Sequence, residues 1–294
     1  MITRIKELLI RSRSLQKINF AVARGAAASS LRSIDVTRPA TWEFSGFSQN
    51  GEDGILDVLL RHVREPNRYF IEIGTADGLE NNTSWLSLVH RYSGLCIEGD
   101  PKKSDAHRSV FTPMNYGLTF LKLFVRSDSL LEMKSQARTE TPDVFSLDID
   151  GIDYHIAKAI LESGFRPKIF VVEYNSAFGP ENSVTIPFKE DFRIGSSDAD
   201  RLYYGCSVAG WQCLFENHGY RFVTVDQNGV NAVFVTPSAF PAAFLDQVSG
   251  TDFAENFSQL TNYRAEWPEQ YALIRERPLY DIKEPRQNKL PNWC

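Results

Sequence analysis

The chain reads Tyr69-Phe70-Ile71-Glu72-Ile73-Gly74-Thr75-Ala76-Asp77-Gly78, an apolar run that ends in a turn with two glycines. Such a run is typical of a strand that is buried in a parallel sheet. Gly74 and Gly78 permit a tight turn and let a ligand approach the backbone closely. Because open α/β sheets bind ligands at the carboxyl ends of their strands, this turn predicts a ligand site there.

The charge around the turn narrows the class of ligand. Residues 69–90 contain three acids and no Lys or Arg, which disfavours a diphosphate. Leu79 also stands where the dinucleotide fingerprint needs its third glycine. A cationic ligand fits better, and S-adenosylmethionine (SAM) carries a sulfonium and an ammonium group. Asp77 has a turn-stabilising role as its alternative. The residues of this turn that we predict to bind SAM are Glu72, Gly74, Asp77 and Gly78.

Glu98 and Gln49 complete the predicted cofactor site. Glu98 ends the second predicted strand, 24 residues after Gly74, and an acid at that separation can accept hydrogen bonds from both ribose hydroxyls. The alternative for Glu98 is a surface carboxylate before a turn. Gln49 offers an amide that could cover the cofactor, whereas the alternative is that residues 48–52 only begin a helix.

A second group of acids follows a later predicted strand. Strand alternation places Asp148 and Asp150 on one face, and it places Glu173 and Asn175 on one face of the next strand. Parallel strands accept carboxylates mainly at their open carboxyl ends. We therefore predict that Asp150, Glu173 and Asn175 hold Mg²⁺ or another divalent cation. Direct binding of the cofactor amine, with Asp148 as a cofactor-binding residue, and of a substrate hydroxyl is the alternative use of these groups.

Two side chains are candidate proton acceptors. Asp150 is the first, and His155 is the second because an imidazole has a pKa suited to a general base. A purely structural alternative also exists for this segment, in which Asp153 caps the following helix and Asp148 accepts backbone hydrogen bonds.

Strands and helices alternate from residue 42 onward, which predicts an α/β fold with a mostly parallel sheet covered on both faces. The turn at residues 226–229 joins the last two predicted strands in a hairpin, so the sheet ends antiparallel. We predict strands over 69–73, 94–98, 144–149, 168–174, 221–225 and 231–236, and helices over 54–63, 82–92, 127–137 and 154–164. Residues 42–236 then form one domain, and residues 237–294 form a cap.

Composition excludes several other classes of protein. The 294 residues carry a net charge of −5 with a pI near 5.6, so we expect no nucleic-acid partner. The four cysteines form no CxxC pair, which predicts reduced thiols and a cytoplasmic location. No apolar run approaches the roughly 20 residues of a membrane-spanning helix. The cysteines are Cys96, Cys206, Cys213 and Cys294.

The N-terminal segment, residues 1–41, differs from the rest. Residues 1–24 contain six basic residues and one acid, with apolar residues at helical spacing. This pattern predicts a basic helix that contacts an anionic membrane surface, or alternatively a solvated or loosely ordered arm. Residues 25–41 are rich in Ala and Ser and predict a linker to the main domain.

Five motifs between about Phe44 and Thr236 resemble the FkbM-type SAM-dependent methyltransferases and their bacterial relatives. The resemblance implies a Rossmann-like methyltransferase fold with seven strands, and methyl transfer to a hydroxyl of a sugar, a glycan or a small metabolite. It also assigns Glu72, Gly74 and Gly78 to the SAM turn and Glu98 to the ribose. Asp150 departs from the family pattern, since this step commonly reads Asp-x-Glu-Gly. The motifs are residues 48–54, 71–74 with 77–78, 148–151 with 153–154, 172–175 and 231–234.

Two other functions stay open from the sequence. One is a Rossmann-like protein that binds a nucleotide sugar without transferring methyl groups. The other is a catalytically silent interaction module that the basic helix attaches to a membrane. The sequence specifies neither the acceptor nor the oligomeric state.

Overall fold

The structure is a computed structural model that describes residues 2–126 and 129–284, with side chains from Ser12 onward. Met1, Ser127, Asp128 and residues 285–294 lie outside the described residues. Outside them, therefore, are Cys294, the first two residues of the predicted helix 127–137, the end of the predicted cap, and the first basic side chains of the N-terminal segment.

The strands are β1 (Tyr69–Ile73), β2 (Ser93–Glu98), β3 (Leu118–Lys122), β4 (Val144–Leu147), β5 (Ile169–Glu173), β6 (Val184–Thr185), β7 (Arg221–Val225), β8 (Asn231–Val235) and β9 (Tyr280–Asp281). The helices are α1 (Ile2–Leu31), α2 (Glu52–His62), α3 (Ser84–Leu88), α4 (Pro101–Phe111), α5 (Leu130–Gln136), α6 (Asp153–Glu162), α7 (Asp198–Arg201), α8 (Val208–Asn217), α9 (Ala242–Leu245), α10 (Phe257–Tyr263) and α11 (Trp267–Ala272).

Seven strands form one sheet in the order β3-β2-β1-β4-β5-β8-β7. The pairs from β3 to β5 are parallel. Strand β8 lies between β5 and β7 and is antiparallel to both. The predicted α/β fold with an antiparallel last strand is therefore confirmed. Strands β6 and β9 form a separate small antiparallel pair.

The sheet separates two hydrophobic cores. Side chains alternate between its faces along each strand. Ile71 and Phe145 belong to the core on one side, whereas Phe70, Val144 and Val171 belong to the core on the other. Strands β1, β4, β5 and β8 are buried along their whole length, which explains their nearly continuous apolar runs.

Helix α1 is longer than the predicted basic helix and continues to Leu31. Residues 25–31 are therefore helical rather than part of a linker, because alanine is the strongest helix former and this stretch contains three in succession. Ile18 and Ala21 are buried in the core that contains Phe70. Among the described residues, no helix has the length and apolarity needed to cross a bilayer.

Residues 237–284 extend beyond the sheet. They contain α9, α10, α11 and β9. Tyr174, directly after β5, donates its hydroxyl hydrogen bond to the carbonyl of Ala254 at 2.6 Å. This contact holds the segment before α10 beside the carboxyl end of β5.

Candidate functional site

The ends of four parallel strands and the start of the antiparallel strand β8 form one row of residues at the carboxyl edge of the parallel sheet. Glu72 pairs with Cys96 and Ile73 with Leu147, Leu147 pairs with Val172, and Glu173 pairs with Asn231. Paired residues on adjacent strands point to the same face of a sheet. The row that follows from this register is Glu98, Gly74, Asp148, Glu173 and Asn231. It carries four polar side chains with a glycine between the first two.

Gly74 is fixed in a conformation that suits glycine. Its φ is +90°, and its N–H donates to the carbonyl of Ile97 at 2.9 Å. A Cβ at this position would lie 1.7 Å from the carbonyl oxygen of Asp148. The turn therefore packs directly against the end of β4, and no other residue fits there without displacing the backbone. Gly78 ends the same turn with a φ of +76°, and its N–H donates a hydrogen bond to the carbonyl of Thr75 at 3.0 Å.

The carboxylate of Glu72 organises the segment after the turn. It accepts hydrogen bonds from the Asn81 side chain (2.7 Å), the Asn82 N–H (3.0 Å) and the Thr83 hydroxyl (2.5 Å). Burial raises the pKa of Glu72 to about 7. Three hydrogen bonds to the Glu72 carboxylate thus fix the conformation of the loop after the turn. This loop forms part of the wall of a cavity.

Two other predicted acids also bind backbone groups of the turn. Glu98 accepts from the N–H of Ala76 (2.8 Å) and of Asp100 (2.7 Å). Asp77 accepts from the N–H of Leu79 at 3.1 Å, which is the geometry of the turn-stabilising alternative. Glu98 remains half-buried at the end of the row, where each carboxylate oxygen keeps a further lone pair.

Three carboxylates converge beside the glycine turn. One oxygen each from Asp148, Asp150 and Glu173 lies within 4.8 Å of the others. Burial and then the neighbouring carboxylates raise the pKa of Asp148 and of Glu173 well above their ordinary values, and burial raises that of Asp150. Asp150 has φ +53°, a left-handed backbone that is strained for a residue with a side chain and that is found preferentially at functional sites. Tyr204 donates its hydroxyl to Glu173 at 3.2 Å.

The structure does not bring two predicted residues into this group. Asn175 donates to the carbonyls of Leu202 (2.7 Å) and Tyr204 (3.0 Å), and its oxygen accepts from the Ala177 N–H. The Asn175 amide thus makes three hydrogen bonds, one of which caps a short 3-10 helix. The prediction of Asn175 as a metal ligand is therefore wrong. Asn175 lies two residues after the end of β5, so the strand alternation that we extrapolated does not reach it.

His155 also lies away from the carboxylates. It is buried in α6, and its Nε2 lies 2.9 Å from the carbonyl oxygen of Ile186. Its ring contacts the rings of Phe188 and Tyr280, and burial lowers its pKa to about 4. His155 is therefore a packed core residue, which corrects its prediction as a proton acceptor. Asp153, the first residue of α6, accepts from the N–H of Ile149 and of Gly151 at 2.9 and 2.8 Å. It therefore holds the loop before α6 and does not have the helix-capping role that the structural alternative expected.

A cavity of about 280 Å³ opens over the row. Of the predicted residues, its wall includes Gln49, Glu72, Gly74, Asp148, Asp150 and Glu173; it does not include Asp77, Gly78, Glu98, His155 or Asn175. We name this space the acidic cavity, because six carboxylate residues and no Lys or Arg line it among the part of the chain that the structure describes. The carboxylates are Glu52, Glu72, Glu80, Asp148, Asp150 and Glu173, and the amides are Gln49, Asn50, Asn81, Asn82, Asn231 and Asn256.

Sequence reasoning did not single out Glu52 and Asn231 as site residues. Asn231 opens β8 and donates to Glu52 at 2.5 Å, and Glu52 begins α2. Asn231 is buried, and its side-chain oxygen has no hydrogen-bond partner among the described residues. The signal was present in the sequence, since both residues lie in motifs that carry the family resemblance.

The sheet has one antiparallel strand inserted next to its last position, a glycine turn after β1 and an acid at the end of β2. This combination defines the Rossmann-like class I methyltransferase fold. No family model and no curated protein sequence matches this chain. Among solved structures, it is similar to an O-methyltransferase from Bacillus cereus in complex with SAH, at 15% identity over 75% of this chain and 90% of that chain, with a TM-score of 0.38.

It is also similar to the O-methyltransferase TomG from Streptomyces achromogenes, solved with SAM, at 15% identity over 74% of this chain and 96% of that chain, with a TM-score of 0.41. A third similar structure is the DszA carbon methyltransferase, at 15% identity over 62% of this chain and 50% of that chain, with a TM-score of 0.40. These similarities are distant.

Proposed function

We propose that this protein is a SAM-dependent methyltransferase that methylates a hydroxyl of a sugar, a glycan or a small metabolite. The observation that carries the proposal is the row of strand ends, in which a glycine turn lies between Glu98 and the Asp148–Glu173 pair under a cavity without cations. A site with this charge favours a ligand with an ammonium and a sulfonium, and it opposes a diphosphate.

The residues of the row suit the two ends of SAM. Glu98 would accept hydrogen bonds from the ribose hydroxyls, and Asp148 would pair with the ammonium group. Gly74 leaves room between them because it has no side chain. SAM supplies an activated methyl group, so the protein needs only to align the acceptor oxygen and accept its proton.

Asp150 is the proposed proton acceptor. It lies at the open side of the carboxylate group, and the raised pKa of its carboxyl makes that carboxylate a better base than an ordinary Asp. The amides of the acidic cavity, among them Asn50, Asn82 and Asn256, can donate to and accept from hydroxyl groups. This donor set supports a neutral, hydroxylated acceptor.

A divalent cation is the alternative ligand that we propose for Asp148, Asp150 and Glu173, in place of the SAM ammonium group. Three carboxylate oxygens within 4.8 Å of one another repel each other, and oxygen ligands of this kind are those that Mg²⁺ and Ca²⁺ prefer. The cation would neutralise the group and orient an acceptor oxygen beside Asp150. Isothermal titration of Mg²⁺ into wild type and Glu173→Gln tests this part: equal affinity in both proteins would contradict it.

Thermal denaturation with added ligands tests the main proposal, since a ligand that binds the folded chain raises its apparent stability. We expect SAM and S-adenosylhomocysteine to raise the Tm. A Tm raised only by NAD or a UDP-sugar would instead favour the nucleotide-sugar protein, and no response to any of them would favour the interaction module.

Two variants and a control locate the roles within the site. Glu98→Ala should weaken SAM binding about tenfold or more, because hydrogen bonds to a charged group are lost. Asp150→Asn should bind SAM like wild type and lose turnover. Glu162→Gln, an exposed acid paired only with Lys158 on α6, should change neither. A loss of SAM affinity in Asp150→Asn alone would reverse the assignment.

Membership of the FkbM family, a cytoplasmic location and contact of residues 1–24 with an anionic membrane complete the proposal. The family rests on the five motifs. The membrane contact is supported by the exposed Arg13, Lys17 and Arg24 on α1, together with the exposed rings and chains of Phe20 and Leu15. Removal of α1 would not serve as its test, because that helix is also packed into a core.

A further inference from the structure

We propose that a second cavity, between α1 and the loop before α2, binds a phosphate group of the acceptor. This inference rests on the proposed function and extends it, because it gives the acceptor two ends: a neutral hydroxylated end in the acidic cavity and an anionic end at α1. The second cavity is about 340 Å³ in volume, and we name it the basic cavity.

The basic cavity is formed by one face of α1 and the segments opposite it. Lys17, Phe20 and Arg24 line it from the helix, where they follow each other at spacings of three and four residues and so share a face. Phe47 and Leu79 line it from the opposite side. Helix α1 is held in place there, because Ile18 and Ala21 are buried on its adjoining face.

The basic cavity is lined by two cationic side chains, whereas the acidic cavity is lined by carboxylates. Lys17 and Arg24 are exposed, and among the side chains that the structure describes neither has a carboxylate within ion-pair distance. The Arg24 guanidinium donates to the carbonyl of Gly46 at 2.6 Å, which fixes its position and leaves other N–H groups for a ligand. A phosphate suits a guanidinium and an ammonium group at one site.

The two cavities share part of their wall. Gln49 and Glu80 line both, and the Gln49 side chain donates to Glu80 at 3.0 Å across the boundary. A ligand with one end in each cavity would therefore lie beside Gln49 and Glu80. No Lys or Arg of the described residues lines the acidic cavity, so a phosphate-bearing acceptor would place its phosphate against Lys17 and Arg24.

Binding of inorganic pyrophosphate tests the basic cavity without knowledge of the acceptor. The variants are Lys17→Gln and the double variant Lys17→Gln/Arg24→Gln, measured by isothermal titration with and without saturating SAM. Arg13→Gln is the matched control, because Arg13 lies one turn earlier on the same helix face, is exposed, and does not line the cavity. Thermal denaturation of each variant checks that it is folded.

We expect the double variant to bind pyrophosphate about tenfold or more weakly than wild type. Arg13→Gln should bind like wild type, and SAM should bind equally with and without pyrophosphate. Equal affinity in all variants, equal losses in the double variant and in Arg13→Gln, or competition between pyrophosphate and SAM would each overturn the inference. Failure of SAM binding with pyrophosphate binding intact would contradict the proposed function and not the anion site.

The source of the phosphate is separated by a second measurement. Co-sedimentation with phosphatidylcholine vesicles that contain phosphatidylglycerol, against phosphatidylcholine alone, reports on a lipid-borne phosphate. A loss of sedimentation in the double variant and not in Arg13→Gln indicates that the basic cavity binds a lipid-borne phosphate, because general contact of α1 with the anionic membrane would weaken in Arg13→Gln as well. Equal sedimentation of all variants, with weaker pyrophosphate binding in the double variant, indicates a water-soluble acceptor.

Discussion

Replacement of Gly74 by alanine should damage the site and the fold together. The new Cβ would lie 1.7 Å from the carbonyl oxygen of Asp148, whereas real contacts of this kind are not shorter than 3.0 Å. One of the two strand ends must therefore move by more than 1 Å. The N–H of Asp148 is bonded to the carbonyl of Ile73 at 3.1 Å, so this movement strains the β1–β4 pairing and shifts the carboxylate of Asp148.

The cost has two parts, and the chain offers a control that isolates the first. Alanine at a positive φ costs about 1–2 kcal/mol because its Cβ crowds the backbone. Gly219, after α8, has φ +80°, and a Cβ at that position would meet no other atom within 4 Å, so Gly219→Ala should show this part alone. Over-packing against the end of β4 adds about 1–3 kcal/mol. Gly74→Ala should therefore lose roughly 2–5 kcal/mol of the free energy of unfolding in total.

Urea denaturation of the two variants and of wild type measures both parts, and isothermal titration measures SAM binding. We expect Gly74→Ala to unfold at a lower urea concentration than Gly219→Ala and to bind SAM weakly or not at all. Gly219→Ala should bind SAM like wild type. Equal stability of the two variants, together with wild-type SAM affinity in Gly74→Ala, would refute the argument that this turn packs against β4 to form the site.

Three further outcomes follow from particular contacts. Arg32→Ala should lower the free energy of unfolding by about 3–5 kcal/mol in urea denaturation, because it leaves Asp57 buried with its charge less compensated. Arg61→Ala removes the exposed partner of the same acid and should cost less than about 1 kcal/mol. Burial raises the pKa of Asp53 to about 7, so the folded chain holds a proton that the unfolded chain releases. The free energy of unfolding should therefore fall as pH rises between about pH 4 and pH 7. The expected slope is up to about 1.4 kcal/mol per pH unit. Asp53→Asn should remove that part of the pH dependence, and an unchanged slope would contradict the assignment. Asp150→Gly should raise the free energy of unfolding by about 1 kcal/mol, since glycine relieves the strain of the positive φ. The same variant should lose methyl transfer. A variant that is both less stable and active would exclude Asp150 as a strained proton acceptor.

The fold was largely predictable because buried parallel strands have a strong sequence signal. Strands β1, β4 and β5 are mainly apolar runs, and the Asn228-Gly229 turn marks the final hairpin. Strand β3 and helices α4 and α8 were not predicted. Strand β3 has one buried residue, Leu118, and its other four residues are partly buried or exposed, so its position at the edge of the sheet leaves little pattern in the sequence.

The positions of site residues were predictable where they stand at the end of a strand. The prediction failed for residues that lie beyond a turn of the chain. Asp148 and Glu173 stand at strand ends, and the register of the sheet brings them together. His155 is close to them in sequence, but α6 begins at Asp153 and directs its ring toward Ile186. Asn231 reaches the row because β8 pairs antiparallel with β5, and the predicted hairpin did not specify the strand that β8 pairs with outside the hairpin.

The carboxylates of the site are costly to bury, and this cost is itself an argument for a cationic ligand. Asp148 and Glu173 repel each other and lose hydration, which raises the pKa of both. A role in stability alone would be served better by apolar residues at the same positions. A bound cation, whether the ammonium group of SAM or a metal ion, removes the repulsion and restores the charged form. Ligand binding should therefore release protons, and calorimetric titration of SAM in buffers of different ionisation enthalpy should detect that release near neutral pH.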